Sequence, residues 1–242
     1  MNKFLRFTLV VSAWLAVMPG LMAEGPNHDF ARWEKEISAY ERVDATNAPP
    51  KGCIVFIGSS TIARWKTLTE DFSDWPVVNR GFGGSEVVDS THFAPRVLFP
   101  YQPGLIFFRA GGNDLAAGKS VAQVFTNFQE FAEAVHAKLP EAKLVYISWS
   151  PSRARWSQHE KEKELNQLVA DYIQSRPWLY YLETYDLPLG ADGHPREELF
   201  VADKLHFNAA GYRLLAERVR PVLSKFAPVP ESAKRSVEEK SK

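Results

Sequence analysis

The stretch CIVFIGSSTIARW, Cys53 to Trp65, decides how the chain is read. Five apolar residues end abruptly at Gly58 and two serines, and apolar residues resume at helical spacing with Ile62 and Trp65. A short continuous apolar run bounded by glycine predicts a strand covered on both faces. Serine is a favoured residue at a helix start, so the segment reads as strand, turn, helix, with hydroxyls presented at the turn. Cys53, the only cysteine, lies in the strand and is expected to be a buried small hydrophobe; no intrachain disulfide can form.

The same pattern recurs along the chain. PVVN (76–79), GLIFFRA (104–110), KLVYIS (143–148) and LYYLE (179–183) are four further apolar runs. Between the third and fourth runs, Val121, Val124, Phe125, Phe128, Phe131, Ala132 and Val135 mark one face of a helix. Between the fourth and fifth, Leu165, Leu168, Val169 and Tyr172 do the same, and a last helix is predicted from about Asn208 to Leu223. Alternating strands and helices imply an α/β three-layer sandwich: a central, mostly parallel, five-stranded sheet, flavodoxin-like, with helices on both faces. Ligands of such folds sit outside the carboxyl ends of the strands.

Residues 1–23 read as a secretory signal peptide: Lys3 and Arg6 precede an apolar stretch from Phe7 to Met18, then Pro19, Gly20 and a cleavable Ala23. The apolar run is shorter than the roughly 20 residues that a membrane span needs. Export to the periplasm or the extracellular space follows as an expectation, with no membrane insertion after cleavage. Residues 24–50 form an N-terminal helix and linker, with Phe30, Trp33, Ile37 and Tyr40 at helical spacing and Pro49, Pro50 and Gly52 at its end. Residues 51–226 form the main domain, and 227–242 a charged tail without a core stripe, expected to be disordered. The leader holds two basic residues and no acid, so the remainder carries 27 basic residues against 29 acidic. That balance gives no electrostatic reason to expect nucleic acid as a partner.

Four short stretches fall at predicted strand ends or before the last helix: GSS (58–60), NRGFGGSE (79–86), GGND (111–114) and DKLH (203–206). A serine hydroxyl needs a base within hydrogen-bond reach, and the base needs an orienting partner. DKLH supplies both in one turn, with Asp203 three residues before His206. An Asp that accepts from one imidazole nitrogen leaves the other free to take the serine proton. The oxyanion of ester attack needs fixed donors. Candidates are the N–H of a serine at the helix start, an N–H of the Gly83–Gly84 turn, and the Asn113 amide.

In these blocks the chain resembles the SGNH hydrolases, or GDSL-type esterases. FIGSSTI, NRGFGGS, AGGND and DKLHFNAAGY follow the order of that family's serine, glycine, asparagine and histidine blocks, and the resemblance covers roughly residues 50 to 224. It implies Ser60 as nucleophile, His206 as base and Asp203 as orienting acid, with Ser60 N–H, Gly84 and Asn113 as oxyanion hole. It implies no metal and no cofactor. One departure stands out: the family often has Asp before the nucleophile, where this chain has Ser59. That Asp is not a triad carboxylate, so activity should survive its absence, with Ser59 left as turn or cap.

Each stretch also has a plain reading. The serines cap a helix; Asn113 and Asp114 form a turn, with Asp114 as structural support. GGNDLAAGKS resembles a phosphate-binding loop, but five residues rather than four separate Gly112 from Gly118. None of the six histidines makes a metal-binding helical pair, and His136 and His159 are expected to face solvent. SWSPSRARW (148–156) follows the fourth strand and should overhang the site; Arg153, Arg155 and Trp156 are candidate substrate-binding residues, as against loop packing and solvated charges.

The expected function is a serine esterase that releases short acyl groups, acetyl foremost, from a carbohydrate or similar small polar ester. The alternatives are a lysophospholipase or thioesterase on longer chains, and a catalytically silent glycan- or lipid-binding domain. The sequence leaves the oligomeric state open.

Overall fold

β1 (Ile54–Gly58) is buried along its whole length, inside a five-stranded sheet of order β2-β1-β3-β4-β5. The computed structural model describes residues 28–227. All four pairings, among β1, β2 (Val77–Gly81), β3 (Leu105–Arg109), β4 (Lys143–Ile147) and β5 (Leu179–Leu182), are parallel. The strands therefore end together on one edge, where Gly58 pairs with both Gly81 and Arg109.

Alternate residues of each strand feed two cores, as the two-residue period requires. On one face Val55, Ile57, Ile106, Phe108 and Tyr146 meet α1 (Glu34–Thr46), α4 (Val87–Val97), α6 (Val121–Lys138) and α7 (His159–Ile173) through Ile37, Phe93, Phe128 and Val169. On the other, Ile54, Phe56, Phe107 and Val145 meet two single-turn helices, α2 (Ser60–Ala63) and α3 (Leu68–Asp71), and the long α8 (Ala209–Phe226) through Ile62, Leu68, Leu215 and Val219. Phe56 stacks on Phe107 with ring centroids 4.5 Å apart. One more short helix, α5 (Gly112–Ala116), follows β3. The three-layer α/β reading is what the chain adopts.

Two local readings need correction. The periodicity gave no helix between β2 and β3, yet α4 lies there. Its apolar stripe is interrupted by Asp89, Ser90 and Pro95, but a reciprocal capping box between Glu86 and Asp89 starts it, and Asp89 is further held by His28 at 2.7 Å. His136 and His159 do not simply face solvent: each ring stacks on a tryptophan, Trp178 at 4.3 Å and Trp156 at 4.0 Å.

The N-terminal helix is tied to the sheet. Trp33 and Ile37 are buried, Trp33 Nε1 donates to the Gly83 carbonyl, and Asp44 of α1 accepts from Arg80 and from the Tyr101 hydroxyl. Cys53 is buried beside β1, which pushes its thiol pKa up. The signal-peptide reading and nearly all of the charged tail lie outside the described residues. Among the described residues no helix is long and apolar enough to cross a membrane.

Candidate active site

The glycine that ends β1 has a steric cause. Gly58 has φ of 144°, and a Cβ there would stand 2.1 Å from the Arg109 carbonyl oxygen. No side chain fits there, where β1 lies hard against the end of β3, and the chain turns at once into α2. Ser59 is the extended N-cap of that helix, buried, with its N–H on the Arg109 carbonyl. Ser60 is the first helical residue, so its own N–H has no acceptor within the helix.

Ser60 Oγ lies 2.9 Å from His206 Nε2, and His206 Nδ1 lies 2.7 Å from Asp203 Oδ2. Residues 146 positions apart in sequence are thus joined in one hydrogen-bonded chain. The Asp203–His206 turn is built locally. Lys204 takes a left-handed φ of 55°, and Asp203 Oδ1 accepts the backbone N–H groups of Leu205 and His206, both at 2.9 Å. An antiparallel bridge between Phe200 and Phe207 closes the loop. Desolvation pushes the Asp203 carboxyl up, but the His206 hydrogen bond and the two N–H donors outweigh it and hold the pKa well below the usual carboxylate range. Asp203 stays ionised, the imidazole hydrogen sits on Nδ1, and Nε2 is left to accept from Ser60.

Asn113, the second residue of α5, enters the same recess. Its Nδ2 donates to the Ser85 carbonyl at 2.9 Å, and its Oδ1 accepts from Arg155 Nη2 at 3.0 Å. Those partners fix the amide orientation and leave the second Nδ2 hydrogen for a ligand. Gly112 is packed under Trp149, where a Cβ would clash at 2.6 Å. Asp114 is fully buried and takes the Val87 N–H, joining the Asn113 loop to α4; burial raises its pKa to about 7.

The candidates part company elsewhere. Gly84, with φ of 81°, sits in the turn after β2 but outside the recess lining; a Cβ there would reach the Arg32 guanidinium at 3.3 Å. Arg155 lines the recess, whereas Arg153 donates to the Pro195 carbonyl and Trp156 is held against His159 and His194, both outside it. The structure adds residues that sequence reasoning passed over. Arg109, at the end of β3, is buried with its guanidinium over the Trp149 ring and on Thr184 and Ser150. Glu162 of α7 is buried in the recess, where desolvation raises its carboxyl pKa. Both had a signal: a charge closing an otherwise apolar strand, and an acid three residues before Leu165 on the apolar face of its helix. Among the described residues no group of three or more His, Cys, Asp or Glu could hold a metal ion.

The recess beside Ser60 is small, with about 30 Å³ free, room for about two water-sized groups. A hydroxyl with a base on one side, amide donors on the other and a small recess beside it can carry out acyl transfer.

Solved structures share the fold at low identity. A Streptococcus pneumonia protein provisionally described as a platelet activating factor has 22% identity and a TM-score of 0.71, over 80% of this chain and 94% of that one. A GDSL-like lipase from Bacteroides thetaiotaomicron has 20% identity and a TM-score of 0.63, over 81% and 98%. A lipase/acylhydrolase from Enterococcus faecalis has 22% identity and a TM-score of 0.57, over 72% and 97%. No curated protein matches the chain. The model of the GDSL-like lipase/acylhydrolase family matches residues 31–214, from the turn before α1 into α8, and the chain belongs to that family.

Proposed function

We propose that this protein is an exported serine esterase that removes short acyl groups, acetyl foremost, from a carbohydrate or similar polar ester. The observation that carries the reading is the Ser60–His206–Asp203 chain, at 2.9 and 2.7 Å, opening on a recess too small for a long acyl chain. The leader-like sequence of residues 1–23 supports export.

Ser60 Oγ attacks the ester carbonyl while His206 Nε2 takes its proton; His206 then returns that proton to the departing alcohol oxygen. The negative charge on the former carbonyl oxygen falls to the Ser60 N–H and the free Asn113 Nδ2 hydrogen. Gly84, implied as a third donor by the family resemblance, lies outside the recess lining and is given no part in this step. Water, deprotonated by the same imidazole, clears the acyl-enzyme. Ser60 rather than Ser59 is the nucleophile because only its hydroxyl is joined to His206.

The test is hydrolysis of p-nitrophenyl acetate by the wild type and by His206→Ala. The variant is expected to be slower by at least about 10³-fold; equal rates would remove the proposal.

A further inference from the structure

The recess beside Ser60 has a floor unlike that expected of a plain acetyl or alkyl pocket. Arg109 and Glu162, each only 2% exposed, both line it. Arg109 Nε and Glu162 Oε2 have no hydrogen-bond partner among the described residues. The other polar atoms of the two groups are largely committed. Arg109 Nη1 donates to the Ser148 carbonyl and Thr184, Nη2 to Ser150, and Glu162 Oε1 accepts from Gln158 at 3.0 Å. Neither Arg109 nor Arg155 closes an ion pair with Glu162, although both attract it. The residues lining the recess thus carry one buried donor and one buried acceptor that no described protein group satisfies.

A group at this floor must match both. A methyl or longer alkyl end would bury the two without partners, which is costly. A carboxylate would meet Glu162, and an ammonium would meet Arg109 and Arg155. A hydroxyl satisfies both, accepting from Arg109 Nε and donating to Glu162 Oε2. The recess takes the acyl side of the ester, because the alcohol must leave to solvent and a sugar-sized alcohol does not fit in about 30 Å³. Room for about two water-sized groups beyond the carbonyl is room for one methylene and one hydroxyl.

We propose that the recess is an acyl pocket for a 2-hydroxyacyl group of glycolyl size, whose hydroxyl is bound by Arg109 and Glu162; this rests on Ser60 being the esterase nucleophile. The chemistry balances as for any acyl ester. The bond from Ser60 oxygen to the acyl carbon forms, the bond from the acyl carbon to the alcohol oxygen breaks, and the Ser60 proton leaves with the alcohol. Water then releases the 2-hydroxy acid and restores the Ser60 hydroxyl.

The experiment compares ethyl glycolate, ethyl propionate and ethyl acetate as substrates, each kcat/KM divided by the rate constant of alkaline hydrolysis of the same ester. Glycolyl and propionyl differ by a hydroxyl in place of a methyl. The wild type should favour glycolate over propionate by about 10- to 100-fold, the range for a hydrogen bond to a charged group. Glu162→Met should bring that ratio close to one, and Glu162→Gln, which keeps the shape and weakens the acceptor, should lower it in the same direction. The wild-type ratio needs no variant to fold. A wild-type ratio at or below one, as would follow if a water were seated permanently on the floor, overturns the proposal, and so does a ratio unchanged in Glu162→Met. Turnover of acetate without glycolyl preference removes this inference alone. No turnover of any ester, together with no labelling of Ser60 by a fluorophosphonate, removes the esterase reading and this inference with it.

Discussion

The guanidinium of Arg155 grips the peptide that carries Asn113: Nη1 donates to the Gly112 carbonyl at 3.1 Å and Nη2 to Asn113 Oδ1 at 3.0 Å. The amide oxygen is thus committed to Arg155, and the second Nδ2 hydrogen is what Asn113 has left to offer. Under the proposed mechanism Arg155 is a positioning residue. Asn113→Ala should cost about 10² to 10³ in kcat, the loss seen for one oxyanion donor. Arg155→Met should cost less, on the order of tenfold, mainly in kcat. Arg155→Lys should not rescue it, since a single ammonium cannot hold two acceptors in that fork. The double variant should be no slower than Asn113→Ala alone, because the two act through one donor. Additive losses in steady-state kinetics would show that Arg155 acts on substrate independently.

The two adjacent serines make separable predictions. Ser60 is joined to His206 at 2.9 Å, while Ser59 is buried as the helix cap with its N–H on Arg109. Ser60→Ala should abolish fluorophosphonate labelling and lower ester turnover by at least about 10³-fold. Ser59→Ala should keep the labelling. Labelling that survives Ser60→Ala and is lost in Ser59→Ala would reverse the assignment.

How far the sequence carried the reading follows from where the information lies. Strands buried on both faces are continuous apolar runs, so all five could be placed to within about two residues. α4 was not legible because its first turn is held by side-chain capping and a buried Asp89–His28 contact, which no periodicity records. In the site, Ser60, Asn113, Asp203 and His206 were legible because each sits in a short local block. The floor was not. Arg109 and Glu162, on separate elements, come to one recess only through the tertiary fold, and the signal each carried, a charge on an otherwise apolar face, does not say which other charge it faces. Arg153 and Arg155 show the same limit: two arginines on one loop, of which packing turns only one inward.

Asp114 sets a pH dependence of stability. Burial raises its folded pKa to about 7, against an ordinary value of 3.8, so the folded state holds a proton that the unfolded state has lost. A raised carboxyl pKa favours folding at low pH, and the contribution is lost as pH rises from about 4 through 7. Carboxyls held low, Asp203 among them, have the opposite slope, so the wild-type profile alone does not isolate the effect. The difference between wild type and Asp114→Asn does. The stability of the wild type relative to the variant should fall between pH 4 and 7 and level off above that range. A difference in denaturation midpoint that stays flat with pH would show that Asp114 ionises in the fold as it does in the unfolded chain.

Gly58 carries the strictest backbone demand at the site, and a matched glycine nearby supplies the control. At Gly58 the φ of 144° is a conformation that side chains rarely adopt, and a Cβ would meet the oxygen, carbon and nitrogen of the Arg109 backbone at 2.1, 2.7 and 3.0 Å. Those atoms belong to a central strand and have no rotamer by which to yield. Relief requires β1 and β3 to part at the end that holds Ser60. Gly58→Ala should therefore cost about 3 kcal/mol or more, from overpacking and strain together. Gly83, in the turn after β2, has nothing within 4 Å of its Cβ position and no left-handed φ, so Gly83→Ala should change stability by no more than about 0.5 kcal/mol. Denaturant titration of the two variants checks the contrast. A Gly58→Ala protein as stable as the wild type would mean that β1 and β3 are not locked together at their carboxyl ends, and the fixed placement of Ser60 against His206 would lose its structural basis.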